Sequence, residues 1–450
     1  MKIVVIGGVA AGSKAAAKSK RLLKDAQVDI YTQDSHVSYS ACGLPYYIQG
    51  NFADYKNLII RTPQEFEASG INVHLYQKVI KILPDTKQIL VRDLLSSEEY
   101  YVDYDKLVIA TGASPYKPNI KNIELKNVFT LRTLEDGITL REKMYKSKKA
   151  VISGCGYIGL EVLEAFVSNK VHTTVIEKNP RILSFLDNEV SLIVQNFVKT
   201  LYPEYTTIIN NDEITEFIGE DEILSVKTRN NKIIDTDYVL ISSGIRPNVD
   251  IAVDAGINLG DSGAIKVNSR METNIEDIYA CGDCIEEVYA MTGTPAWIPL
   301  GSTANKEGRC AAMNLCGFAD DFPGVLGSAV TKYFGLTISR TGFTETFAKQ
   351  NGFDVVSILV TKHDKAGYMP DVENVTIKLI ADKRNHKLLG GQAVGCGDAD
   401  KRINALATAI FEGMTVEQLS DADITYAPPF STSIDPLLFA SRILADKLKD

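Results

Sequence analysis

The 450-residue sequence contains no long apolar run and no excess of basic residues. No segment approaches the ~18 uninterrupted apolar residues of a membrane-spanning helix. The N-terminal apolar run covers only residues 3–6 before two glycines, which is too short for a secretory signal. Forty-eight Lys and Arg against 57 Asp and Glu leave a net charge of −9, so the surface repels polyanions. We therefore expect no membrane segment and no nucleic-acid or membrane partner.

Cysteine is also scarce, with seven residues scattered along the chain. An odd number without a secretory signal argues against a disulfide framework and favours a reducing cytoplasm. Cys281 and Cys284 are spaced like half of a metal site, but the sequence has no second C-x-x-C. We therefore expect a cytoplasmic protein without a metal site.

A pattern of strand, glycine turn and helix occurs twice. Residues 2–6 form a β-rich run, which glycines separate from a helix predicted over Ser13 to Lys24. A second copy occupies residues 150–168 and is followed by a strand over 173–177. At ~150 residues per domain the length suggests three domains, of which the first two bind nucleotides and the third is α+β. The C-terminal elements are predicted strands over 355–360 and 375–380 and a predicted helix over 400–413.

The second glycine turn has the full G-x-G-x-x-G pattern that brings a pyrophosphate close to the backbone at a helix N-terminus. Glu177 ends the next strand, at the position of the carboxylate that binds a ribose 2′-hydroxyl. A 2′-phosphate would be repelled there, so we expect NADH, while the nearby Lys178 and Arg181 leave NADPH possible. The three glycines are Gly154, Gly156 and Gly159.

The first glycine turn departs from this pattern, because Val9 stands where the middle glycine would be. The end of the following strand has Thr32 at the carboxylate position, with Gln33 and Asp34 behind it. Ribose contacts at Thr32 are therefore left open. The glycines present are Gly7, Gly8 and Gly12.

Two further segments follow predicted strands. Thr111 and Gly112 belong to an A-T-G run after the strand KLV, and Asp283 follows Gly282 in the run YACGDC. An acidic side chain in such a place can hydrogen-bond a polyol such as a ribityl chain. The order of the four motifs resembles that of the pyridine nucleotide–disulfide oxidoreductases, which are flavoproteins with two dinucleotide sites, over nearly the whole chain.

The resemblance implies an α/β fold with two Rossmann-like dinucleotide-binding domains and a C-terminal α+β dimerisation domain, in a homodimer. FAD would lie on the first glycine turn with Asp283 on its ribityl chain, and NAD(P)H on the second turn. The FAD-binding domain is predicted over 1–110 and 245–325, the NAD(P)H-binding domain over 111–244, and the dimerisation domain over 326–450.

Cys42 is the single cysteine of the loop that follows the first βα unit. Members of the family with a redox-active pair have a second cysteine a few residues later, and this chain has none there. The pattern from Ser38 to Tyr47 resembles the single-cysteine branch, which contains coenzyme A–disulfide reductases, persulfide reductases, NADH oxidases and NADH peroxidases. The resemblance implies that electrons pass from NAD(P)H through FAD to Cys42, with Glu161 near the nicotinamide.

Residues around the first helix favour a disulfide acceptor. Ala10 stands where oxidases and peroxidases of the branch place a histidine. A basic stripe with the spacing i, i+4, i+7 suits the ADP phosphates of coenzyme A while its pantetheine arm reaches Cys42. Coenzyme A–disulfide reductases use matching positions together with Ser38, although Ala41 stands where they usually have a polar residue. The stripe consists of Lys14, Lys18 and Arg21.

Two C-terminal tyrosines match active-site positions of the same reductases. Tyr426 would come from the partner subunit, and Tyr368 lies in a Gly-Tyr-Met-Pro run. A phenol can protonate a departing thiolate. We therefore expect reduction of coenzyme A disulfide or a related disulfide or persulfide. The alternatives are an NADH oxidase or peroxidase working through a Cys42 sulfenic acid, a carrier that reduces a ferredoxin or rubredoxin, and a non-catalytic sensor.

Overall fold

A computed structural model describes residues 1–449, which divide into two compact units. The first unit comprises residues 1–116, 131–141 and 244–325. The second comprises residues 117–130, 142–243 and 326 to the end of the described chain. The residue boundaries of the three domains expected from the sequence stay a prediction.

The regular elements are numbered along the chain. The helices are α1 (Ala10–Leu22), α2 (Leu44–Gln49), α3 (Pro63–Glu67), α4 (Leu134–Tyr145), α5 (Tyr157–Ser168), α6 (Asn188–Leu201), α7 (Asp250–Asp254), α8 (Gly301–Leu315), α9 (Glu345–Gln350), α10 (Ala399–Phe411), α11 (Val416–Ser420) and α12 (Pro436–Lys449). The strands are β1 (Lys2–Ile6), β2 (Gln27–Tyr31), β3 (Ile71–His74), β4 (Gln77–Leu83), β5 (Gln88–Asp93), β6 (Glu99–Asp103), β7 (Lys106–Ile109), β8 (Ala113–Pro115), β9 (Val128–Phe129), β10 (Lys149–Ser153), β11 (His172–Glu177), β12 (Thr206–Asn210), β13 (Ile214–Gly219), β14 (Ile223–Thr228), β15 (Ile233–Asp235), β16 (Tyr238–Ile241), β17 (Ile245–Pro247), β18 (Ile265–Lys266), β19 (Ile278–Ala280), β20 (Ile285–Val288), β21 (Pro295–Ala296), β22 (Ala329–Tyr333), β23 (Leu336–Gly342), β24 (Val355–His363), β25 (Asn374–Asp382) and β26 (Leu388–Gly395).

The first unit is built on a five-stranded parallel sheet with the order β19-β7-β1-β2-β3. Residues 3–6 of β1 are buried because both faces of this sheet are covered, with α1 packed against it, which explains why the run is continuously apolar. The antiparallel β4-β5-β6 sheet packs its apolar side into the same core. The carboxyl ends of β1, β7 and β19 lie side by side, so the loops that follow them meet at one edge.

The second unit contains a similar parallel sheet, in the order β12-β11-β10-β16-β9, and a C-terminal antiparallel sheet, in the order β22-β23-β26-β25-β24. Helix α10 packs on β23 and β26, and α12 packs on β24 and β25. This arrangement confirms the expected α/β class with an α+β C-terminal region. No helix among residues 1–449 is long and apolar enough to cross a membrane.

Most local predictions are confirmed, although several boundaries differ, most notably at the start of α1. The helix expected from Ser13 begins at Ala10, so Gly12 lies inside the helix and not in the turn before it. The helix requires a glycine at this position, because a Cβ on residue 12 would overlap the carbonyl oxygen of Gly7. The glycine therefore serves the close packing of α1 on the end of β1.

Candidate active site

The first glycine turn joins β1 to α1. Gly7 has φ +100°, and a Cβ there would overlap the carbonyl oxygen of Ala110, which follows β7. Val9 is the N-cap residue of α1, yet this helix start has no side-chain cap and no acidic residue in its first turn. Its backbone N–H groups and positive dipole end therefore suit an anion such as a pyrophosphate. Gly8 lies against Val37, whose methyl group would be 2.8 Å from an added Cβ.

The second glycine turn joins β10 to α5 and has the same uncapped helix start. Gly154 has φ +89°, and a Cβ there would lie 2.6 Å from the carbonyl oxygen of Ser242. A Cβ on Gly159 would overlap the carbonyl oxygen of Gly154. A Cβ on Gly156, in contrast, would meet no protein atom within 4 Å. Protein packing leaves the space at Gly156 open, which fits a dinucleotide pyrophosphate approaching the backbone.

Glu177 ends β11 beside this turn and is buried. Its Oε2 accepts the backbone N–H of Cys155 at 2.9 Å, and its Oε1 accepts the backbone N–H of Asn179 at 2.9 Å. The carboxylate is thus oriented at the position expected of a ribose ligand. Lys178 forms an ion pair with Glu213 at 3.4 Å, which reduces the positive charge available to a 2′-phosphate.

The corresponding end of β2 has no carboxylate. Thr32 is buried, and its Oγ1 accepts the backbone N–H of Asp34 at 3.3 Å. Partial burial, followed by the negative charge of Glu135, raises the pKa of Asp34. The hydrogen bond places the backbone of Asp34 beside Thr32, where the sequence left the ribose contact open.

The loops after β7 and β19 are held by partners that are distant in sequence. Thr111 Oγ1 donates to the carbonyl oxygen of Asn248 at 2.7 Å, and the backbone N–H of Asn248 donates to the carbonyl oxygen of Gly112 at 2.9 Å. Arg132 Nη2 donates to Asp283 Oδ2 at 3.0 Å, 151 residues away. Sequence reasoning missed Asn248 and Arg132, because neither lies in a recognisable motif.

Cys42 lies in a single 3-10 turn, Ala41–Gly43, directly before α2. Its side chain is exposed, and a Cβ built on Gly301 would lie 3.8 Å from Cys42 Sγ. Gly301 begins the fifteen-residue helix α8, which has no acidic residue in its first turn. The thiol therefore faces the positive end of a helix dipole, which favours the thiolate. His36, the nearest histidine in the sequence, has its Nδ1 at 3.3 Å from Glu135 Oε1.

The segment that leads to Cys42 is paired with a second segment of the first unit. Ser40 donates its backbone N–H to the carbonyl oxygen of Leu58 at 2.8 Å, and Ile60 donates to that of Ser38 at 2.8 Å. Ser38 adopts φ +52° and donates its N–H to the carbonyl oxygen of Gly8. The pairing brings Arg61, the next residue, alongside Ser38.

A cavity of about 440 Å³ lies between the end of α1 and Arg61. The Arg61 guanidinium stacks 4.2 Å above the Phe66 ring, and its Nη2 donates to the carbonyl oxygen of Glu65 at 2.7 Å. Of the predicted basic stripe, Arg21 lines the cavity, whereas Lys14 and Lys18 are not among its lining residues. Sequence reasoning missed the other three cations. The cavity is lined by Ala17, Lys20, Arg21, Lys24, Arg61, Ser69 and Ile71.

The remaining predicted residues belong to the second unit. Glu161 on α5 accepts a hydrogen bond from Thr331 Oγ1 at 2.9 Å, and partial burial raises its pKa. Tyr368 and Tyr426 are exposed by 76% and 52%. Their loops are joined by a hydrogen bond at 3.2 Å from the N–H of Ala366 to the carbonyl oxygen of Pro428. The two tyrosines therefore belong to one exposed region of this unit.

Two other cysteines of the first unit have a different environment. Cys281 and Cys284 are fully buried beneath the loop of Asp283, and burial raises the pKa of Cys284 to about 11. Such thiols stay protonated and pack as small apolar groups. Within residues 1–449, no three His, Cys, Asp or Glu side chains are grouped closely enough to hold a metal ion.

The chain is similar to known proteins along almost its entire length. Residues 1–308 match the family described as pyridine nucleotide-disulphide oxidoreductase, and residues 328–437 match its dimerisation domain. The NAD(P)H sulfur oxidoreductase (CoA-dependent) of Pyrococcus abyssi is 36% identical over 98% of both chains. The NADH oxidase of Methanocaldococcus jannaschii is 32% identical over 100% of both, and the coenzyme A disulfide reductase of Staphylococcus haemolyticus is 31% identical over 96% of both.

Solved structures give the same result. The NAD-dependent persulfide reductase of A. fulgidus superimposes with a TM-score of 0.96 at 35% identity, covering 100% of this chain and 84% of that one. The two uncapped helix starts and their glycine turns fit the two cofactors of the family, FAD and NAD(P)H. The chain belongs to the pyridine nucleotide-disulphide oxidoreductase family and is an FAD-dependent NAD(P)H:disulfide oxidoreductase.

Proposed function

We propose that this enzyme, acting as a homodimer, reduces coenzyme A disulfide or a related disulfide or persulfide through Cys42. The observation that carries the proposal is the basic cavity beside the segment that leads to Cys42. Coenzyme A has phosphates on its adenosine end and sulfur at the other end. Arg21 and Arg61 suit the phosphates, because guanidinium groups form strong charge-assisted hydrogen bonds with them. Ser38, whose carbonyl oxygen accepts the backbone N–H of Arg61 at 3.4 Å, would contact the pantetheine arm as it extends to Cys42.

The chemistry at Cys42 is thiol–disulfide exchange. Its thiolate attacks one sulfur of the substrate, so the substrate S–S bond breaks and one thiolate leaves, while Cys42 Sγ becomes part of a mixed disulfide. Two electrons and one proton then cleave this bond, which releases the second thiol and restores the Cys42 thiolate. FAD, when bound, supplies the two-electron path from NAD(P)H to this sulfur.

The residues around the thiol prepare these steps. The start of α8 favours the thiolate of Cys42, and the exposure of the side chain admits a large substrate. Tyr426 and Tyr368 protonate the departing thiolate or orient the substrate, with Tyr426 supplied by the partner subunit. On the nucleotide side, Gly156 admits the pyrophosphate, Glu177 favours NADH over NADPH, and Glu161 orients the nicotinamide.

The test compares two disulfides that differ only at the charged end. We would follow anaerobic NADH consumption by the FAD-loaded enzyme with coenzyme A disulfide and with pantethine, which lacks the phosphoadenosine group. A much lower KM for coenzyme A disulfide is expected, because only that substrate reaches the basic cavity. Equal KM values for both, or no turnover with either, would contradict the proposal.

A second candidate is NADH oxidation by oxygen or peroxide, and the similarity to the M. jannaschii NADH oxidase supports it. In that reaction Cys42 would cycle through a sulfenic acid. Ala10, the first residue of α1, offers no side chain that can move a proton there. Rapid NADH consumption in air without any disulfide would favour this candidate over the first.

A further inference from the structure

Two carboxyl groups that the proposed chemistry does not use face each other inside the first unit. Glu287 on β20 is 7% exposed, and Glu307 on α8 is 1% exposed. Glu307 Oε2 accepts the backbone N–H of Gly282 at 2.8 Å, and Glu287 Oε2 accepts the backbone N–H of Ile298 at 3.1 Å. Glu307 Oε1 is buried and has no donor while Glu287 is ionised.

The surroundings of the pair do not compensate two negative charges. No lysine, arginine or histidine within residues 1–449 forms an ion pair with Glu287 or Glu307. The titratable groups that face the pair are Asp283, whose negative charge disfavours a further one, and the buried thiol of Cys281, whose raised pKa keeps it neutral. Arg132 forms an ion pair with Asp283 at 3.0 Å and so compensates the charge of Asp283.

Burial is the main reason why the pKa of both carboxyl groups lies above the ordinary range. Mutual repulsion adds to this effect for Glu287, whereas the N–H of Gly282 stabilises Glu307 as the anion. A proton held on Glu287 would therefore supply a donor to Glu307, whose buried Oε1 has no other hydrogen-bond partner.

The pair joins the two parts of the first unit that the chemistry needs. Through Gly282, Glu307 supports the turn that presents Asp283. Glu307 also belongs to α8, whose first residue, Gly301, lies beside Cys42. Helix α8 is held in turn against α1, where a Cβ on Gly308 would overlap the carbonyl oxygen of Ala11.

We infer that Glu287 and Glu307 are a positioning pair that shares one proton and makes the retention of FAD depend on pH. The inference rests on the proposed role of Asp283 in holding the flavin. Loss of the shared proton places a second buried charge behind Asp283 and removes the donor to Glu307, so the Gly282 turn loses its support. Because FAD carries a negatively charged pyrophosphate, its binding favours the protonated pair, and FAD affinity falls as the pH rises.

The experiment measures the Kd for FAD, from the fluorescence of released flavin, between about pH 6 and about pH 10. In the wild-type protein the Kd is expected to rise by up to about tenfold per pH unit across the alkaline part of this range. Glu287→Gln keeps a neutral donor to Glu307, so its Kd should match wild type near neutrality and stay nearly constant on the alkaline side. Glu286→Gln is the matched control, because Glu286 is equally buried on β20 but accepts the N–H of Ser262, and its profile should follow wild type.

A second measurement detects the shared proton directly and depends neither on flavin binding nor on any electron acceptor. The infrared C=O stretch of a protonated carboxyl group should be present in the wild-type protein at neutral pH and absent in Glu287→Gln. Absence of this band from the wild-type protein would overturn the shared proton. Its presence together with identical FAD profiles for wild type and Glu287→Gln would overturn the positioning role. Neither result depends on whether coenzyme A disulfide is the acceptor.

Discussion

At the scale of single residues, the proposed chemistry depends on Cys42, whose exposed sulfur lies beside the first residue of α8. The helix dipole at that point favours the thiolate, which is the form that attacks a disulfide. Exposure alone does not produce this environment, because Cys396 is also exposed and partial burial raises its pKa.

We expect Cys42→Ser to keep FAD and to lose disulfide turnover by at least about 10³-fold, since a hydroxyl cannot replace the thiolate. The measurement is anaerobic kcat with coenzyme A disulfide, together with the flavin absorbance of the purified variant. Cys396→Ser is the control and should keep wild-type kcat. Substantial turnover by Cys42→Ser would refute the assigned nucleophile.

A substitution of Arg61 tests whether the basic cavity binds the phosphates of coenzyme A. Removal of one charge-assisted contact to a phosphate costs about 1.5–3 kcal/mol, so Arg61→Ala should raise the KM for coenzyme A disulfide by about 10- to 100-fold. The KM for pantethine should not change, because pantethine has no phosphate. Arg92→Ala is a suitable control, since Arg92 pairs with Glu99 on the β5-β6 hairpin and does not line the cavity.

A substitution at Gly156 separates an effect on protein packing from an effect on nucleotide binding. Gly156→Ala should leave the thermal unfolding temperature nearly unchanged, because the added methyl group meets no protein atom within 4 Å. The same methyl should raise the KM for NADH by about tenfold or more by obstructing the pyrophosphate. Gly159→Ala should instead lower the unfolding temperature, since its methyl overlaps backbone. An unchanged KM in Gly156→Ala would contradict the predicted nucleotide site.

At the scale of secondary structure elements, a buried lysine joins three parts of the second unit. Lys378 on β25 is 2% exposed and contacts Asp187 Oδ2 at 3.4 Å, before α6, and Glu345 Oε2 at 2.8 Å, in the first turn of α9. Glu189, in the first turn of α6, is the third carboxylate of this network. A buried cation with three anionic partners holds the starts of two helices against the C-terminal sheet.

Lys378→Met should lower the free energy of unfolding by about 3–5 kcal/mol, because it leaves carboxylates without their buried cation. Urea unfolding at neutral pH measures this loss. Lys349→Met, which removes an exposed partner of Glu345, should cost less than about 1 kcal/mol. A loss as small as that of Lys349→Met would show that the network does not stabilise the fold.

The ion-pair network around Lys378 also predicts that the free energy of unfolding falls at acid pH. Partial burial would raise the pKa of Glu345, but hydrogen bonds from Lys349 and Lys378 outweigh it and lower the pKa from 4.5 to about 2. A lowered carboxyl pKa contributes stability above the unfolded value, and this contribution disappears as the pH falls through about 2. The acid-side decline of unfolding free energy should therefore be shallower in Lys378→Met than in wild type.

At the scale of the whole molecule, the proposed site requires two chains, with Cys42 from one and Tyr426 from the other. Homodimers of Cys42→Ser and of Tyr426→Phe should both be impaired. Dissociation and reassortment of a mixture should create heterodimers with one complete site each, and recover about a quarter of wild-type activity. No recovery, in a mixture shown by mass spectrometry to contain heterodimers, would place both residues of a site on one chain.

Local patterns in the sequence predicted the elements that depend on neighbouring residues. The strand at residues 2–6, the glycine turn before α5 and the strands over 355–360 and 375–380 are all present. These predictions succeed because strand periodicity and positive-φ glycines act over a few residues. The start of α1 was misplaced because Gly12 reads as a turn residue, although close packing against Gly7 explains it.

The sequence by itself determined the family and the two glycine turns and predicted Cys42 as the reactive cysteine, since each depends on residue types at short spacing. Only the tertiary structure decided which distant side chains meet, including Arg132 with Asp283, Arg61 with the end of α1, and Glu287 with Glu307. Such pairs follow from how strands and helices pack. The free energy of a buried charge or cavity is set by its three-dimensional neighbours, which no local pattern contains.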